Sequence, residues 1–254
     1  MYLTNAQFWT LSILHLVSKM SITAQKINQL LQKHHATFAN VVSFDPLKEY
    51  FICLDFTANN PDLSPETVNE TKRFSEYIDA ILTHNNAKFG VGGYFEHRTI
   101  YARSNHFGKD AEEARRLHLG VDIWGAVNTP VFAFADGKVH SYAYNNHFGD
   151  YGATIILEHS LEDCTFYSLY GHLSLESLNG LTANQIIKKG TQIAQFGNLD
   201  DNGNWPPHLH FQLMVSMDGY SGDYPGVAKF SEKEHWLNLI PNPNLILEFE
   251  HVDF

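Results

Sequence analysis

The 254-residue chain is long enough for one large domain or for a core domain with an accessory piece, and its 44% hydrophobic, 13% aromatic and 18% charged residues exclude a disordered chain. A formal net charge of -11 sets the summed field against nucleic acid or an anionic membrane as the main partner and leaves neutral or cationic substrates. Cys53 and Cys164 cannot build a disulfide framework; they point to a reducing compartment and hence the cytoplasm, with export to the periplasm or cell surface as the alternative.

The first apolar stretch, FWTLSILHLV at 8–17, is too short to span a bilayer and has no Lys or Arg ahead of it. It reads as an amphipathic helix with Phe8, Leu11 and Leu14 on its inner face, and stable membrane insertion is not expected. YFICLDF at 50–56 reads as a strand. SPETVNETKRFSEYIDAILTH reads as one helix: Ser64 can cap it, Pro65 suits its first turn, and Phe74, Ile78, Ile81 and Leu82 recur at helical spacing. In GVGGYFEHRTIYARS, 90–104, the glycines predict a turn followed by another strand. A boundary near residue 90 then separates a mixed α/β accessory region, 1–90, from a β-rich domain with a C-terminal extension, 91–254.

Beyond that point the period falls to two. TPVFAFA and KVHSYAY around Asp136-Gly137 predict a hairpin, ATIILEH and TFYSLYGHL a second, and KKGTQIAQFG and HLHFQLMV further strands. The fold class is therefore mainly β, an antiparallel sheet.

Fifteen histidines in 254 residues make about one H-x-H pair expected by chance, so His208-Leu209-His210 alone says little. H-x-x-x-D occurs as His106/Asp110, His118/Asp122 and His159/Asp163. The first lies in a charged, solvated stretch and the third closes a hairpin, where polar residues serve the turn. His118 and Asp122 stand at the entrance to the sheet, and Gly120 between them permits the bend that two donors to one ion require. In a strand His208 and His210 share a face while Leu209 and Phe211 point the other way, and His172 ends another strand.

The run HLGVDIWGAVNTPVFAFADGKV, YGATIILEH, FYSLYGHLS, KKGTQIAQFGN and PPHLHFQL resembles, in order and spacing, the lysostaphin-type (LytM-like) zinc metallopeptidases over residues 118 to about 213. The resemblance implies a groove over an antiparallel sheet and the hydrolysis of peptides of the bacterial cell wall beside glycine or D-alanine. It implies one Zn2+ ion held by His118, Asp122 and His210, with His172 and His208 as the catalytic pair. Three protein ligands leave a fourth position for water, whose pKa zinc lowers toward about 7. No H-E-x-x-H is present, so proton handling falls to the histidines.

The sequence departs from that family in its approach to the H-x-H strand, GNLDDNGNWPPHLH, which is bulkier and more acidic than the usual Gly/Ser/Thr loop, in Gln212 where many relatives carry Glu, and in its long tail. Trp205 and Tyr220 are candidate substrate contacts at the rim. EHRTIYARSNHFG either lines the groove or covers it, and DYPG at 223–226 reads as a turn. Two further readings stand beside the peptidase: a noncatalytic binding or regulatory module, which typically loses ligands that this sequence keeps, and a zinc hydrolase of a nonpeptide amide. The oligomeric state is not readable.

Overall fold

The computed structural model describes residues 22–108 and 112–247. The helix expected at 8–17 lies outside them. Its centre is an eight-stranded sheet in the order β1 (Phe51–Leu54), β2 (Phe89–Gly92), β4 (Val121–Trp124), β11 (His208–Met214), β8 (Cys164–Leu173), β7 (Gly152–Leu161), β6 (Gly137–Asn145) and β9 (Ile186–Ile187). Only the β1·β2 pair within it is parallel; the other neighbours are antiparallel, as the period-two patterning predicts. The boundary drawn near residue 90 falls inside β2, and the sheet continues across it.

Two expected pairings come out differently. TPVFAFA does not fold back on KVHSYAY: β5 (Pro130–Phe132) pairs with β10 (Gln192–Gln195), whereas β6 pairs with β7 and β9. Alternation specifies which face a residue takes but not which strand lies beside it. The β7·β8 hairpin is as expected, with Glu162 at φ 54 in its two-residue turn. Likewise the single helix expected from Ser64 divides into α2 (Pro65–Val68), capped by the Ser64 hydroxyl, and α3 (Thr71–His84), which starts at Glu70 without a side-chain cap. The strand expected after Gly93 is replaced by two short 3-10 turns, Ile100–Arg103 and Asn105–Phe107. Their apolar residues Ile100, Tyr101 and Phe107 pack beside α3 rather than joining the sheet.

The pleat divides β11 between two environments. Leu209, Phe211 and Leu213 enter the main core with Val121, Ile123, Ile155 and Tyr170, and helix α1 (Ala24–His34) adds Ile27 and Leu31 to it. Each such side chain contributes about 1.5–3 kcal/mol by leaving water, which fixes the register. With those residues facing the core, His208, His210 and Gln212 must face the other way. Asp122 sits directly across from His210 in the β4·β11 register, and His118 ends the two-residue strand β3 (Leu117–His118), which pairs with β12 (Val227–Ala228).

Candidate active site

Three donors converge on the far side of this sheet. His118 Nε2 lies 2.9 Å from His210 Nδ1 and 3.2 Å from Asp122 Oδ1, and His210 Nδ1 lies 3.0 Å from that same oxygen. The bend expected at Gly120 is present. Gly120 serves a second purpose the sequence did not reveal: a Cβ there would come within 2.6 Å of the His210 ring, so only glycine lets the imidazole swing in.

Each ring is oriented from behind. The Nδ1–H of His118 donates to Gly93 O at 2.9 Å, which leaves Nε2 with its lone pair. Gln212 donates from its Nε2 to Pro225 O, so its Oε1 is an acceptor, and it accepts Nε2–H of His210 at 3.0 Å. Nδ1 of His210 is then also a bare lone pair. Three acceptors, two imidazole nitrogens and a carboxylate oxygen, therefore face one another with no hydrogen among them. That arrangement is repulsive unless a cation sits between the donors, and N/N/O donors about 3.3 Å apart are what tetrahedral zinc asks for. The residues present fit the ion that the resemblance implies.

His172 and His208 stand beside this cluster with ring centroids 4.1 Å apart. Nδ1–H of His172 donates to Asn202 O and Nδ1–H of His208 to Pro206 O, both at 2.8 Å, so both present Nε2 as the free base. Trp124 stacks on His208 at 3.9 Å and 14° and fixes its plane. His172 sits at φ 61, a left-handed conformation that a residue with a Cβ adopts at a cost of about 1–2 kcal/mol. Its backbone is held there by His172 N–H to Tyr151 O at 2.8 Å and Gly197 N–H to His172 O at 2.9 Å.

Burial dominates the electrostatics. It pushes His208 down to about 4, and it drives His172 well below the ordinary histidine value, helped by the charge His208 would carry. His118 falls to about 3 through burial and the nearby Arg98 charge. Burial alone would raise the Asp122 carboxyl, but its coupling to His118, the Arg98 guanidinium and His208 outweighs that and holds the group well below the usual carboxylate range. At neutral pH Asp122 is thus a carboxylate and His118, His172 and His208 are neutral.

The cluster opens into a cavity of about 230 Å³. Tyr220, 45% exposed, lies at its mouth, but Trp205 is not an exposed rim residue as expected. It is 3% exposed and forms part of the wall, packed against Phe74, Tyr101 and Phe107, because Asn202 clamps the loop: Nδ2 of Asn202 donates to Trp205 O and its Oδ1 accepts Trp205 N–H. The 96–108 segment contributes Ile100, Tyr101, His106 and Phe107 to the lining of the cavity. Residues 223–226 are irregular rather than a turn and also line the cavity. Asn202, Gly93, Gln212 and Trp124 were not singled out for these roles; nothing in a loop asparagine or a strand tryptophan marks what it touches.

A mainly β domain with a His/Asp/His donor set is the arrangement that the metallopeptidase resemblance implies. Residues 116–221 match the model of Peptidase family M23, so the resemblance read from the sequence is borne out over that stretch. A Haemophilus influenzae protein described as an uncharacterized metalloprotease is 39% identical over 101 residues, covering 40% of this chain and 19% of that protein. The peptidoglycan DD-endopeptidase ShyC of Vibrio cholerae is 30% identical over 105 residues, covering 40% of this chain and 21% of its own. The chain therefore spans about a fifth of the length of these relatives. Among solved structures, the catalytic domain of the antimicrobial peptidase lysostaphin from Staphylococcus simulans is 27% identical, with 48% of this chain and 80% of that one covered at a TM-score of 0.34.

Proposed function

We propose that the protein is a zinc-dependent endopeptidase that hydrolyses peptide bonds beside small residues, glycine or D-alanine, with peptidoglycan cross-link peptides as the substrate class. The observation that carries the zinc reading is the meeting of three lone pairs at His118, Asp122 and His210, each ring oriented by an oxygen behind it. The description of the Vibrio cholerae relative as a peptidoglycan endopeptidase supports the substrate class.

Zinc bound by these three residues would supply Lewis-acid activation of water and of the scissile carbonyl. The chain supplies the rest. His208 Nε2, 4.0 Å from Asp122 Oδ1, and its neighbour His172 are bases kept neutral by burial, and each can accept a proton from water at Nε2 and return it to the leaving amine. Once one of the pair is protonated, its N–H becomes a donor to the developing oxyanion while the other stays neutral, because two charges cannot share so dry a site. The buried walls at Tyr101, Trp124 and Trp205 keep bulk water from the pair.

The test is metal analysis of the purified protein followed by chelator-sensitive cleavage of oligoglycine and D-alanine-containing peptides beside purified cell wall. One equivalent of zinc and release of new amino termini from that panel are expected. Fully metallated protein that cleaves none of them would sink the peptidase reading in favour of a nonpeptide amide, and protein without affinity for zinc would leave a binding module.

A further inference from the structure

We propose that Arg98 is the positioning residue of this metal centre: it grips the outer oxygen of Asp122 so that the carboxylate offers only Oδ1 to the ion. The inference rests on the zinc reading above and assigns a residue outside the family-matched stretch 116–221.

Arg98 is fully buried, and its fork reaches two carboxylates. Nη1 donates to Asp122 Oδ2 and, at 3.3 Å, to the Tyr101 hydroxyl, while Nε donates to Glu96 Oε2 at 2.7 Å. Asp122 Oδ1, the other oxygen, is the one that faces His118 and His210. The carboxylate is thereby split between a guanidinium and the donor cluster. Lysine, a single point charge, could not hold both acids in fixed planes.

The surroundings are built around this guanidinium. A Cβ on Gly92 would come within 2.5 Å of Nη2, so the position is kept clear, and the Phe56 ring lies 5.2 Å from Cζ. Glu96 is itself anchored, accepting from Phe56 N at 3.0 Å and Gly93 N at 3.4 Å, and Gly93 O is the acceptor that orients His118. Residues 92–98 thus steady two of the three donors. A buried ion pair is a costly way to stabilise a fold, since several kcal/mol of desolvation per ion must be offset. Here it does something an apolar replacement could not: it holds Asp122 with Oδ1 turned toward His118 and His210.

The test uses the full chain stripped of metal, titrated with Zn2+ against a chromophoric chelator and with Co2+ followed by visible absorption. Arg98→Met is expected to weaken zinc about 10–100-fold. It should also lower the cobalt band intensity, because a freed carboxylate turns to give both oxygens and raises the coordination number. Arg98→Lys should fall between. A loss of affinity with an unaltered cobalt spectrum, or no loss in folded Arg98→Met, overturns the proposal. If Arg98→Met fails to fold by circular dichroism, Glu96→Gln decides: a few-fold loss with the same spectral change supports it, and wild-type behaviour overturns it. Wild type that takes up neither ion would overturn the zinc reading itself, an outcome distinguishable from variants matching a wild type that binds.

Discussion

His159 and the imidazoles of the candidate site are all buried, and in sequence His159 carries the same H-x-x-x-D pattern as His118. The difference is in their second nitrogen. His159 is closed on both sides, Nδ1 donating to Asp136 O at 2.9 Å and Nε2 bonded to Ser168 Oγ at 2.7 Å, between the rings of Phe134 and Phe166. Its sequence partner Asp163 lies in the hairpin turn itself, exposed, beside Cys164. His118, His172, His208 and His210 are each anchored through one nitrogen only. A buried histidine is structural when the protein finishes its hydrogen bonding, and available for chemistry when the protein finishes half of it.

The strongest way to break that comparison is to remove donors from both places. Asp122→Ala and His210→Ala should bring zinc content to background by elemental analysis, whereas His159→Gln should keep it; zinc lost equally from all three would erase the distinction. Next in size, His208→Ala and His172→Ala should retain zinc yet lose about 10²–10⁴ in kcat. Zinc loss matching that of Asp122→Ala would merge ligands and bases into one group.

The closed histidine has its own signature in acid. Burial pushes His159 down to about 4, against about 6.5 when unfolded. Between those values the unfolded chain binds the proton and the folded one does not, so stability falls as pH drops from 6.5 and levels off below 4, by about 3 kcal/mol in all. Denaturant midpoints of metal-free protein should show this, and His159→Gln should flatten the slope by one proton; an identical slope in the variant would mean the imidazole is already charged in the fold. The smallest effect concerns His172. At φ 61, His172→Gly should be more stable than His172→Ala by about 1 kcal/mol in the same melts. Equal stability would show that the backbone relaxes once the ring is gone.

Much of the site could be read before the fold was known, because it depends on alternation. Once Leu209 and Phe211 are assigned inward, His208 and His210 are left together, and the apolar pattern of β4 carries Asp122 to the same face. What could not be read depends on approach between distant segments. Pairing of β5 with β10 instead of β6 and the burial of Trp205 each follow from contacts whose partners lie tens of residues away. The same holds for the oxygens behind the rings. Gly93 O and Asn202 O are backbone groups that any residue offers, so no letter in the sequence distinguishes them.

Phe74 of α3 lies against both Trp124 and Trp205, and those two indoles are the flat supports of His208 and the wall beside His172. A fragment trimmed to the family-matched stretch would strip the outer cover from both tryptophans and hand their bare faces to solvent. Whoever designs a minimal version of this protein should cut upstream of the helix, since the leading segment is a buttress for the rings of His172 and His208 and not luggage.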